Sequence, residues 1–216
     1  MADTPIIAVL TGDLVASQLA GTAKVEAAMA RLKRTAEDIS EIVGHDTRFT
    51  RFRGDGWQMV LKDPSDALMA TLLALADLRA TGLNLNTRIA IGIGSAENLG
   101  TGNLSDAKGQ AFVLSGRLLD EMPRKHTVDI AGGPKANYPW QVAVIDLVAW
   151  QSSHWTAAQA TAMATTLRHP FENHQTMAKR LKITRQAMQS RLASAGMQPI
   201  ASAVMAFKSA NWEQDS

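Results

Sequence analysis

The chain contains no cysteine. That excludes disulfide staples, thiolate zinc centres and a cysteine nucleophile, and it fits a reducing compartment. No apolar run approaches the ~20 residues that a bilayer-spanning helix needs. The opening MADTPIIAVLTGD lacks a basic n-region and carries aspartates early, so it does not read as a signal peptide. A cytoplasmic protein with no membrane partner is therefore expected. Charge is sparse, 19% of residues against 46% hydrophobic, which is the composition of a chain that buries a core. Its 216 residues suffice for one large domain or two small ones.

The charge that is present is unevenly placed. Residues 1–149 hold 15 Lys and Arg against 17 Asp and Glu, whereas residues 150–216 hold seven against three. Within 174–192 lie Lys179, Arg180, Lys182, Arg185 and Arg191 and no acid. A local surplus of one sign is what a polyanionic partner selects, although a solvated helical face has the same composition.

The first two thirds alternate strand and helix signals. IIAVLTGD (6–13) reads as a buried strand ending in a Gly-Asp turn. Residues 22–43 place Val25, Ala28, Met29, Leu32, Ile39, Ile42 and Val43 on one face of an amphipathic helix. TRFTRF (47–52), Gly54-Asp55-Gly56 and WQMVL (57–61) form a strand–turn–strand pattern. A second helix is expected over roughly 65–81, opened by Asp63-Pro64-Ser65. TRIAIGIGSAE (87–97) is a strand whose Ala90, Gly92 and Gly94 let another backbone approach. A loop over 98–105, which includes the Gly-rich GTGN (100–103), a helix over about 107–121 and a strand at TVDIAG (127–132) follow. The order β-α-β-β-α-β-α-β gives way to a helix-rich remainder, with the boundary near 137–150.

Asp13 ends the first strand and Asp55 sits in the hairpin tip. In a β-α-β-β sheet those elements are neighbours, so the carboxylates converge. Such a pair suits Mg²⁺ held together with substrate phosphates. Aspartate is also common in turns for its backbone tolerance alone. Arg51 reads equally as the polar face of an alternating strand, Asp106 as a helix-start acid, and Arg117 as an ion-pair partner of Asp120 or Glu121.

TGDLVAS, RFRGDGWQMVL, RIAIGIG and GQAFVLSGRLLDEM stand in the order of the motifs of class III nucleotidyl cyclases, over roughly residues 6–135. The chain as a whole resembles the bacterial SatD family, a cyclase-like domain followed by a DNA-binding segment. The resemblance implies that Asp13 and Asp55 are the metal-binding aspartates, with Leu14 offering a backbone carbonyl. It implies that Arg51 and Asp106 are the base-selecting pair and Arg117 the transition-state arginine. Arg51 stands where cyclases carry lysine, and the two differ in hydrogen-bond geometry. Val113 stands where active cyclases carry the ribose-orienting asparagine, and valine supplies no such hydrogen bond.

In HQTMAKRLKITRQAMQSRLASA (174–195), Met177, Ala178 and Leu181 share a helical face, Ile183 lies in a turn, and Ala187, Met188 and Leu192 continue the pattern. Thr184 is placed to cap the second helix. The segment resembles the helix-turn-helix of bacterial regulators, centred on 174–192, with Lys182 where glycine is usual. That resemblance places Arg185, Gln186 and Gln189 at base edges, and Lys179, Arg180 and Arg191 at phosphates. Trp140, Trp150 and Trp155 are expected to pack this part against the first domain.

The expected fold is α+β: a ferredoxin-like, nucleotidyl-cyclase-like β-α-β-β-α-β domain over 1–137, then an all-α helix-turn-helix domain over 138–216. The expected function is DNA-binding transcriptional regulation, with a degenerate cyclase-like domain that senses a nucleotide ligand or mediates homodimerisation. The alternatives are a Mg²⁺-dependent cyclase with an appended helix-turn-helix and an adaptor with neither site functional.

Overall fold

The computed structural model describes residues 5–52, 54–135 and 138–213. It is a mixed α and β protein built on one five-stranded mixed sheet. In chain order the first part comprises β1 (Ile6–Val15), α1 (Ser17–Ala20), α2 (Thr22–Val43), β2 (Thr50–Phe52), β3 (Gly56–Leu61), α3 (Ala67–Ala80), β4 (Asn86–Ser95), α4 (Gln110–Glu121) and β5 (Val128–Gly132). Helices α5 (Tyr138–Ser153), α6 (Ala157–Arg168), α7 (His174–Arg180), α8 (Arg185–Ser194) and α9 (Met197–Ser209) complete it. The predicted boundary at 137 lies outside the described residues. No helix among the described residues is long and apolar enough to cross a membrane.

The strands run in the order β2-β3-β1-β4-β5. Among the described residues only the β4–β5 pairing is parallel, and α4 supplies the crossover such a pairing requires. Alternation divides the side chains between two faces. Ala8, Leu10, Leu14, Met59, Leu61, Ile89, Ile91 and Ile93 join a core with α2 and α3. Ile7, Val9 and Val60 turn to the other face, beneath Ala111 of α4 and Leu104 of the preceding loop. There the glycines of β4 matter: a Cβ on Gly92 would lie 2.3 Å from the Ala111 carbonyl oxygen.

The sequence signal at Gly12 has a different cause from the one expected. It ends no strand, since β1 runs on to Val15. A Cβ at Gly12 would lie 2.5 Å from the buried indole of Trp57, so the missing side chain makes room for that ring. Two predicted spans also shift. The strand at 47–52 narrows to Thr50–Phe52, because Arg48 turns at φ 49°, and the helix after the 98–105 loop starts at Gln110.

Eleven of the fourteen residues of α3 are buried, because α2 and the sheet cover one side and α6 lies along the other. One apolar core therefore runs from Ala8 to Trp212. Trp155 is buried and donates through Nε1 to the Ala195 carbonyl at 2.8 Å. Trp140 packs edge-on to Phe207 at the end of α9, and Trp212 closes the cluster. Trp150 departs from the expectation for these tryptophans: it is 63% exposed on the outer side of α5, beside Leu147.

Candidate ligand pocket and nucleic-acid interface

Asp13 of β1 pairs in register with Gly56 of β3 and with Arg88 of β4. Asp55 occupies the turn just before Gly56, and its backbone carbonyl accepts from Leu14 N at 3.3 Å. Strand pairing thus brings both aspartates to one open pocket of about 360 Å³, lined also by Ser17, Gln18, Leu19, Arg88 and Arg124. Among the described residues, no group of three or more metal-ligating side chains stands at this pocket or elsewhere.

The two carboxylates are held differently. Asp13 accepts from Arg88 Nε at 2.9 Å and from Nη2 at 2.5 Å, so both its oxygens are committed to one guanidinium. Arg88 also donates to the Met122 carbonyl at the end of α4. Asp13 holds the Arg88 pKa above its ordinary value against the opposing effect of partial burial. Asp55 Oδ2 accepts from the Ser17 hydroxyl of α1. As folded, this donor set does not fit Mg²⁺. Two carboxylates face two guanidiniums in the lining, and a dication would have to displace a bidentate partner from Asp13.

The other residues carried over from the cyclase motifs are also engaged, away from that pocket. Arg51 forms a two-pronged pair with Glu26 of α2 at 2.8 and 2.7 Å, and its Nε donates to the Gly54 carbonyl. That hydrogen-bonded pair lowers the Glu26 pKa and raises that of Arg51. Asp106 accepts from the Thr101 hydroxyl at 3.1 Å and stitches its own loop. Arg117 pairs with Glu121 one turn along the exposed face of α4. Val113 is 68% exposed on the same helix. A single chain brings Asp13 and Asp55 together, with Arg51 on an adjoining groove that shares Asp55 and Ser17, and it leaves Asp106 and Arg117 outside both.

At the other end, α7 and α8 meet through a six-residue turn contact. Ile183 N donates to the Ala178 carbonyl at 3.0 Å, and Lys182 N to that of Lys179 at 3.2 Å. This closure of α7 requires a left-handed residue, and Lys182 takes that role at φ 54°. Thr184 caps α8 by accepting from Ala187 N at 3.1 Å. Met177, Ala178, Met188 and Leu192 are buried, whereas Lys179, Thr184, Arg185, Gln186 and Gln189 are exposed and Arg191 is half-buried. Arg185, Gln186 and Gln189 stand exposed in the first turn and a half of α8.

Arg180 is not the free cation the sequence suggested. Glu172, in the turn before α7, holds it through two contacts at 2.9 and 2.5 Å. Sequence spacing hides this pair, because eight positions exceed the three or four at which helical side chains ordinarily meet. Arg88 was equally hidden: only the β1–β4 register reveals it as the partner of Asp13.

Comparison of the chain with protein-family models and with curated proteins finds no match. The cyclase and SatD likeness accordingly rests on the motifs and their order alone.

Proposed function

We propose that the chain is a DNA-binding regulator whose α7–turn–α8 unit is a helix-turn-helix and whose sheet domain is a cyclase-like module retained for ligand sensing or homodimerisation. One contrast carries this reading. The arginines matching cyclase positions, Arg51 and Arg117, are neutralised by acids, as is Arg88 beside Asp13. Lys179, Lys182, Arg185 and Arg191 have no ion-pair partner among the described residues. Unpaired cations around an exposed, capped helix with two glutamines suit phosphates and base edges. A homodimer would present two such helices to two half-sites.

The test is binding of fluorescent DNA fragments, selected from a random library, by the full chain at low salt. Wild-type protein is expected to select a sequence, and Arg185→Ala and Gln189→Ala to lose that selectivity. Selection that survives both changes would remove α8 from the recognition role.

The second reading, a nucleotidyl cyclase, draws support from the convergence of Asp13 and Asp55 on one open pocket. Val113 and the acid partners that hold Arg51 and Arg117 argue against turnover.

A further inference from the structure

Arg168, the last residue of α6, is the final helical residue before the turn into α7. It makes more acidic contacts than any other cation of the chain described above. Its Nη1 donates to Asp77 Oδ1 at 2.9 Å, its Nη2 to Asp77 Oδ2, and its Nε to Asp38 Oδ2 at 2.8 Å. Burial works against its charge, but Asp77 and then Asp38 outweigh it and hold the pKa above the ordinary arginine value. Asp77, on α3, is only 1% exposed, and it also takes Arg31 at 2.5 Å and the Thr35 hydroxyl at 2.6 Å. A buried carboxylate with this many donors is fully satisfied, and its partners are fixed in place.

Arg31, Thr35 and Asp38 lie on one face of α2, at spacings of four and three residues. The other end of the same helix borders the groove that adjoins the pocket and shares Asp55 with it. Glu26 grips Arg51, Arg51 grips the carbonyl of Gly54, and the next residue is Asp55. From Glu26 to Asp38 the helix spans roughly 18 Å at 1.5 Å per residue. An α-helix is stiff over that distance, so a displacement of the hairpin tip reaches Asp38 and Thr35 as a displacement of the whole rod.

We propose that α2 links the Asp13–Asp55 pocket to the α7–α8 unit, and that Arg168 is the positioning residue through which the link acts. The inference rests on the reading of α7–α8 as the DNA-binding unit and names how the sheet domain governs it. Arg168 touches no DNA in this scheme; it sets the angle at which α7 leaves the core. Occupation of the pocket moves the hairpin tip, Arg51 and Glu26 carry the movement into α2, and the Asp38–Asp77–Arg168 cluster delivers it to the turn at 169–173.

Amide hydrogen exchange on the full chain tests the link without requiring the ligand. The peptides to follow span 169–184, with β1 and β4 as internal references. Arg168→Lys, which keeps the charge but cannot bridge both acids, should speed exchange of 169–184 by about tenfold. Glu26→Ala, at the pocket end, should speed the same peptides by about threefold and leave β1 and β4 as in the wild type. Glu121→Ala, which removes an equally exposed partner of an arginine on α4, should change nothing at 169–184. The inference is overturned if Glu26→Ala leaves 169–184 unchanged, if it loosens β1 and β4 equally, or if Glu121→Ala has the same effect. Anisotropy of wild-type protein with the selected DNA is measured alongside. Absence of DNA binding there counts against the helix-turn-helix reading, whereas a flat exchange response with DNA binding intact counts against the link alone.

Discussion

Asp13 and Arg88 face each other across antiparallel strands β1 and β4, in register, and share two hydrogen bonds of 2.9 and 2.5 Å. The pair converts what reads in sequence as half of a metal site into an internal ion pair at the mouth of a pocket. Removing one partner leaves the other partly buried and uncompensated. Asp13→Asn is therefore expected to cost about 1–3 kcal/mol, with a loss of roughly 2–12 °C in Tm for a chain of this size. Thermal unfolding of the variant checks it. An unchanged Tm would mean that the pair contributes only what an exposed surface bridge does.

Magnesium ion alone is expected to leave the wild-type Tm unchanged, because Asp13 has no uncommitted oxygen. A nucleotide panel with and without Mg²⁺ tests sensing: a shift that Asp55→Ala abolishes supports a ligand at this pocket. If no nucleotide shifts the wild type, nucleotide sensing is wrong. No cyclic product is expected from any of the four nucleoside triphosphates, measured by chromatography after long incubation.

Lys182 holds a left-handed backbone that costs a non-glycine residue about 1 kcal/mol. Lys182→Gly relieves that strain and loses part of the gain to the greater freedom of the unfolded chain. A Tm equal to or slightly above the wild type is expected, together with weaker DNA binding from the lost cation. A marked fall in Tm would show that the lysine side chain supports the turn.

Glu172 withholds Arg180 from solvent anions. Glu172→Gln is expected to tighten DNA binding at low salt, and to steepen the slope of log K against log salt by about one unit for one added phosphate contact. Salt titration by anisotropy measures both. The hydrogen-bonded Arg180 lowers the Glu172 pKa, so the pair is intact above the usual carboxylate range and is lost only as pH falls through the lowered folded value. Between pH 8 and 6 this pair contributes no change in affinity.

Much of the fold was legible because its signals are local. Apolar periodicity marked α2, Asp63-Pro64 marked the turn into α3, and Thr184 marked the start of α8. The left-handed turn at Lys182 was legible for the same reason. The unread features are those that depend on register or on distant packing. Nothing in TGD announces that Gly12 clears space for Trp57, or that Asp13 meets an arginine 75 positions away. Trp150 and Trp155 differ by five positions in one aromatic-rich stretch, yet one is exposed and the other buried. Trp150 stands on the outer side of α5, whereas Trp155 lies past its end, in the turn before α6, where its Nε1 reaches the Ala195 carbonyl. The convergence of Asp13 and Asp55 followed from topology; what occupies Asp13 did not.

The burial of α3 on both sides bears on how such a chain can change. A helix whose second flank is covered by α6 has no dry surface of its own to fall back on once α6 is removed. The C-terminal helices and the sheet are therefore not interchangeable parts. Grafting residues 138–213 onto another carrier would strand an apolar flank on each piece, so the exposed outer face of α8 is free to vary where the segment that bears it is not.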